Sequence, residues 1–121
     1  YEQGKSFMKI TEDAWNHSFI NKKLVFPIAY ALAAVQENIN RDDILICYLH
    51  SSLCNLLAAG IKLIPLGQTE GQKIQVKLNK YIEIEYKSLL KKNLNDIGNC
   101  GWVNDIVSMK HENQFTRIFR T

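Results

Sequence analysis

An all-α fold, a bundle of about five helices around an apolar central one, is what the chain predicts, and three observations carry it. Apolar residues recur every three or four positions through most of the 121 residues, the period of a helix with a buried face. No stretch alternates apolar with polar residues between turn-forming flanks, as a half-buried strand does. Six Gly and two Pro in a chain that is 46% hydrophobic and 22% charged exclude disordered and collagen-like classes. A mass of 13.9 kDa suits a single domain over 1–121.

The elements follow in order. A first helix is expected over about residues 2–19, with Phe7, Ile10, Ala14 and Phe19 inward. Pro27 suits the start of a second helix, where its missing N–H is no loss. Ile28, Leu32, Val35 and Ile39 then continue at helical spacing as the buried stripe. Residues 40–43 form a polar break in which Asn40 or Asp42 can cap a third helix. That helix, about residues 43–63, carries Leu45, Leu49, Leu53, Leu57 and Ile61 on one flank and Ala58 and Ala59 on another. Burial on more than one face is expected, at the centre of the bundle or in a subunit interface.

Pro65 breaks the third helix, because it lacks a donor and disfavours helical geometry in the residue before it. Thr69-Glu70-Gly71-Gln72 has the form of a capping box opening a fourth helix. Its inner stripe is expected at Ile74, Leu78, Tyr81, Ile82, Tyr86, Leu89 and Leu90, with Lys77, Lys80, Glu83, Lys87 and Lys91 in water. Residues 93–101 read as a loop. A short helical pattern passes through Val103, Ile106, Val107 and Met109, and a tail over residues 111–121 is apolar enough to dock on a partner.

Fifteen Lys and Arg against 12 Asp and Glu leave a net charge of +3. With both signs dispersed, this calls for neither nucleic acid nor an anionic membrane. The longest apolar run is read at residues 24–35, interrupted by Pro27 and short of the roughly 20 residues that span a bilayer. The polar start lacks the form of a signal peptide. A soluble, cytoplasmic protein is expected. Tyr1 stands where a chain read from its own start would carry Met, so a piece of something longer is expected. Cys47, Cys54 and Cys100 form neither an even disulfide framework nor a C-x-x-C pair, and read as reduced thiols.

Residues 67–73 superficially resemble a phosphate-binding loop. Only three residues separate Gly67 from Gly71, however, Gln72 precedes Lys73, and a helix rather than a strand comes before. Cys47, His50 and Cys54 lie on one side of the third helix and are the types that hold soft metals, yet a fourth ligand is not evident and packing is the default. His111-Glu112 lacks the second histidine of a zinc protease, and Ser51, Ser52 and Ser108 sit in no nucleophile elbow. No catalytic constellation survives. The tail's aromatics and arginines suit a protein partner better than a nucleic acid, the electrostatic term of so few cations being weak.

Three stretches together resemble one family. Ile61-Lys62-Leu63-Ile64-Pro65-Leu66-Gly67-Gln68-Thr69-Glu70-Gly71-Gln72 is similar to the central signature of the urease accessory protein family UreF. Asp105 to Glu112, followed by Gln114 to Arg120, resembles its carboxyl terminus, and Phe26-Pro27-Ile28-Ala29 an earlier helix start. The resemblance implies an all-α scaffold without enzymatic activity, acting in maturation of the nickel enzyme urease. It implies binding to UreD (UreH in some organisms), dimerisation, recruitment of the GTPase UreG, and coupling of nickel delivery to apo-urease with GTP hydrolysis. No cofactor bound by the chain itself is implied, nickel being handled by the complex. Family members carry a further helical half ahead of this region.

Carried over by residue, the resemblance places Lys62, with Pro65, Gln68 and Gln72, on the surface facing the GTPase. It places Ile46 and His50 in a dimer interface. His111, Glu112, Phe115, Arg117, Phe119 and Arg120 fall in the partner-binding tail. The final Thr121, where members often end in Ser, and the loop around Cys100 depart from the family pattern. The competing class is a general helical interaction module unrelated to urease.

Overall fold

The computed structural model describes residues 1–98, 101, 106, 107, 109 and 110. Among these it contains four α-helices, one 3-10 turn and no strand. The helices are α1 (Glu2–Trp15), α2 (Phe26–Gln36), α3 (Arg41–Leu63) and α4 (Gln68–Leu89). The all-α class is as expected. All four helices lie in one compact unit, Tyr1–Lys91, and Lys92–Thr121 forms a second. In the first unit α1 packs on α2 and α3 on α4, and a small α2–α3 contact joins the two hairpins.

α1 ends at Trp15, short of the expected 19, because Asn16 turns into the left-handed region at φ 57°, which Asn tolerates better than most residues. The chain then folds back and inserts Phe19, only 4% exposed, beside Met8, Ala29 and Ala33, with Phe7 and Leu24 packed around them. Ile10 and Ala14, expected inside, are exposed, and Gly4, Met8 and Thr11 take the inner positions. The buried Thr11 hydroxyl donates within its own helix, toward the carbonyls of Phe7 and Met8, both at 3.1 Å. Its donor is therefore not left unsatisfied on burial.

α2 opens with Pro27 in its first turn, as expected. Its buried face is Ala29, Ala33 and Ala34, however, and the expected stripe of Ile28, Leu32, Val35 and Ile39 is exposed. Small side chains let α1 approach closely: a Cβ on Gly4 would collide with the Leu24 carbonyl oxygen and lie 2.9 Å from the Phe26 nitrogen. Beyond α2, the His17 Nε2 meets Glu37 Oε1 at 2.7 Å and the Ser18 N–H donates to Gln36 Oε1 at 2.8 Å. These contacts tie the α1–α2 connection to the far end of α2.

Asn40 caps α3, its side-chain oxygen accepting from the Asp43 N–H at 2.9 Å. Asp42 and Asp43 in the first turn and Lys62 in the last complement the helix dipole. One of the two placements expected for this helix is corrected, and so is the place of the longest apolar run. Within the chain α3 is not the buried centre of a bundle: none of its residues is buried, because α4 covers one side and α2 touches only a small part of the rest, and Leu56, Leu63 and Ile64 remain exposed. In addition, α3 is by length and composition apolar enough to cross a membrane. The run of residues 44–61 contains no Asp, Glu, Lys or Arg, so the longest apolar run is here and not at 24–35.

α4 begins two residues earlier than the expected capping box allows. Gly67 is the N-cap, without a side-chain bond, and its carbonyl accepts from the Gly71 N–H at 3.0 Å. Thr69 is thus already inside the helix, and the box does not form. Gly71 and Ile82 are buried, whereas Tyr81 and Leu89 of the expected stripe are exposed. Arg41 at the start of α3 donates to the Leu90 carbonyl at the end of α4, at 3.0 Å, fixing the antiparallel pair at that end.

In the second unit Asn93 opens the turn Leu94–Asp96 with a capping box. Its side chain accepts from the Asn95 N–H and its own N–H donates to Asp96, both at 2.8 Å. Residues 106, 107, 109 and 110 are helical, within the short helical pattern the sequence predicts.

Candidate interaction surface

The α3–α4 turn is built from short-range geometry. The Ile64 N–H closes the last helical bond to Gly60 at 2.8 Å, Pro65 cannot continue the helix, and the Leu66 N–H turns back to Ile64 at 2.6 Å. Gly67 then enters α4 in an extended conformation. Next to the turn the helices approach closely, since a Cβ on Gly71 would lie 2.5 Å from the Ile61 Cδ1. Lys62, Pro65, Gln68 and Gln72 are all exposed around this hairpin end. The structure thus brings all four expected residues to one short, well-braced segment, with a cation where a helix C-terminus favours one.

Ile46 and His50 lie elsewhere on α3. With Cys47 and Ser51 they line a groove of about 320 Å³ whose other wall is Asn79, Ile82 and Glu83 of α4. His50 is exposed and Ile46 half-buried. One turn on, the Cys54 Sγ is 3.6 Å from His50 Nε2, and the Gln75 amide reaches both, at 2.7 Å from the sulfur and 3.2 Å from the imidazole. Gln75, not Cys47, completes this cluster. Among the described residues no three His, Cys, Asp or Glu side chains gather into a metal-binding group. An amide side chain is a hydrogen-bonding partner for this pair, and a polar residue on the inner face of α4 was the signal that could have pointed to Gln75.

A second group that the sequence reading missed is aromatic. Phe26 and Tyr30 of α2 and Tyr48 of α3 pack against one another with tilted rings, the Tyr30–Tyr48 centroids 5.6 Å apart, and Phe7 of α1 meets Phe26 edge-on at 5.3 Å. Burial, with a smaller contribution from the neighbouring Cys47, pushes the Tyr30 hydroxyl above its ordinary pKa. The tail residues His111, Glu112, Phe115, Arg117, Phe119 and Arg120 lie outside the described residues.

Comparison with known proteins completes the picture. The family model of UreF matches residues 1–79. The urease accessory protein UreF of a Bradyrhizobium species is 32% identical over 125 residues, covering 98% of this chain and 52% of its own length. The UreF of Trichormus variabilis is 38% identical over 96 residues, 79% of this chain and 42% of its own. That of a Picosynechococcus species is 39% identical over 102 residues, 84% and 45%. The chain spans about half the length of the curated relatives it matches. No solved structure matches it significantly. A family match over residues 1–79, on a chain whose described residues form helices and no strand, establishes that the chain belongs to the UreF family.

Proposed function

We propose that this chain is part of a urease accessory protein that acts as a scaffold, not an enzyme, in nickel metallocentre assembly. The scaffold bridges UreD or UreH and the GTPase UreG, forms a homodimer, and modulates GTP-coupled nickel delivery to apo-urease in the cytoplasm. Nickel is the cargo of the complex, and the chain itself holds no cofactor. The observation that carries this reading is the exposure of Lys62, Pro65, Gln68 and Gln72 together at a braced turn. A cation presented beside a segment with little conformational freedom to lose is suited to recognition. Ile46 and His50, at the mouth of the α3–α4 groove, are the proposed dimer contacts, and the tail completes the partner surface.

The test uses the protein restored to the length of its relatives, in cells lacking their native UreF, together with pull-downs of UreD or UreH and UreG. The restored protein is expected to rescue urease activity. Lys62→Ala should retain UreD or UreH, reduce UreG recruitment by about tenfold, and keep its helical circular dichroism. Failure of the parent protein to rescue urease, or equal UreG recovery by the variant, rejects the corresponding part of the reading.

A further inference from the structure

The outward side of α4 carries a pattern that the scaffold role does not use. Lys73, Lys77, Lys80, Ile84 and Lys87 follow at intervals of four, three, four and three residues, the spacing that keeps side chains on one helix face. Ile82, 5% exposed, lies on the opposite side toward α3, so the stripe faces away from the hairpin. Within the stripe Ile84 is 69% exposed, with Tyr81, one turn before it, 66% exposed, and Val76, about two turns before it, 55% exposed. Lys73 pairs with Glu70 at 2.8 Å and Lys87 lies 5.9 Å from the Tyr86 ring. Lys77 and Lys80 make no ion pair among the described residues.

A face that merely meets water keeps its lysines but gains nothing from three large apolar side chains among them. Apolar residues set among charges that are mostly of one sign are instead the anatomy of a protein interface. We propose that this face docks an acidic helix of a partner protein, its carboxylates over the lysines, one apolar side chain over Tyr81 and Ile84, and another two turns away over Val76. From Lys73 to Lys87 the stripe runs about 21 Å, four turns of helix. Glu83 and Glu85 on the same helix oppose a continuous phosphate backbone, and a polyanion held by counterion release makes no use of Ile84. A membrane-surface helix shows a broad apolar face rather than an isolated patch among lysines.

The full chain is titrated against three labelled probes: a synthetic helix rich in Glu, Leu and Ala, a single-stranded oligothymidine, and phosphatidylserine vesicles. The acidic helix is expected to bind, and Lys77→Glu with Lys80→Glu to weaken it by about tenfold or more. Ile84→Ser should weaken it severalfold while leaving the salt dependence unchanged, since no charge is removed. The milder pair Lys77→Gln with Lys80→Gln gives the same readout if the charge-reversed protein loses helical content. The proposal is overturned if the helix does not bind the parent, if the lysine pair or Ile84 proves dispensable, or if oligothymidine or vesicles bind at least as tightly. Because the readout involves neither urease nor its GTPase, it is independent of the scaffold reading.

Discussion

Gly4 shows how much of the packing hangs on single small residues. It is buried in α1, against the backbone where the chain enters α2, and a methyl group there would meet the Leu24 carbonyl and the Phe26 N–H, neither of which can swing aside. Gly71 is the contrasting case, since its hypothetical Cβ meets only the end of the Ile61 side chain, which can change rotamer. Gly4→Ala is therefore expected to lower stability by about 1–3 kcal/mol, as overpacking does, and Gly71→Ala by clearly less. Urea unfolding of the two variants checks the ranking. Equal midpoints would mean that α1 is not seated on the α1–α2 connection as described.

The helix boundaries separate what sequence reasoning reaches from what it misses. Asn40 is legible as a cap because the signal is local, and its bond to the Asp43 N–H is formed. Asn40→Ala is expected to cost about 1 kcal/mol, with Asn40→Ser recovering most of it; thermal unfolding measures both. Pro27 and Pro65 mark their boundaries for the same local reason. The inner face of α2 was not legible, since Phe26–Gln36 is apolar almost all round and periodicity cannot say which side an arriving helix will choose. In the folded chain Met8 of α1 and Phe19 of the connection pack on Ala29 and Ala33. The capping box at Thr69 failed because the preceding turn delivers the chain into helix already at Gln68, a three-dimensional constraint that a four-residue motif does not contain. At the candidate surface, Lys62, Pro65, Gln68 and Gln72 were legible as neighbours from their closeness in sequence around Pro65, whereas the Cys54–His50–Gln75 contact needed the α3–α4 pairing to bring Gln75 across.

At the scale of the whole Tyr1–Lys91 unit, two hairpins depend on one small joint. α1 with α2 and α3 with α4 are extensively paired, while α2 meets α3 largely through Phe26, Tyr30 and Tyr48. The exposed apolar residues Ile28, Leu32 and Val35 on α2 and Leu56 and Leu63 on α3 show how little else covers these helices. The joint contains a titrating group. Tyr30 has its pKa raised above 10.0 by burial and then by Cys47, so the folded chain holds that proton at a pH where the unfolded chain has released it. Stability is then fully present below pH 10.0 and falls as pH rises through the raised value, because the unfolded state binds fewer protons there. Tyr30→Phe keeps the ring against Tyr48 and removes the titration. Between about pH 9 and pH 11 the variant should lose less stability than the parent, all other tyrosines and lysines being shared. Parallel losses in the two proteins, followed by urea midpoints across that range, would show that the α2–α3 joint does not shelter the Tyr30 hydroxyl.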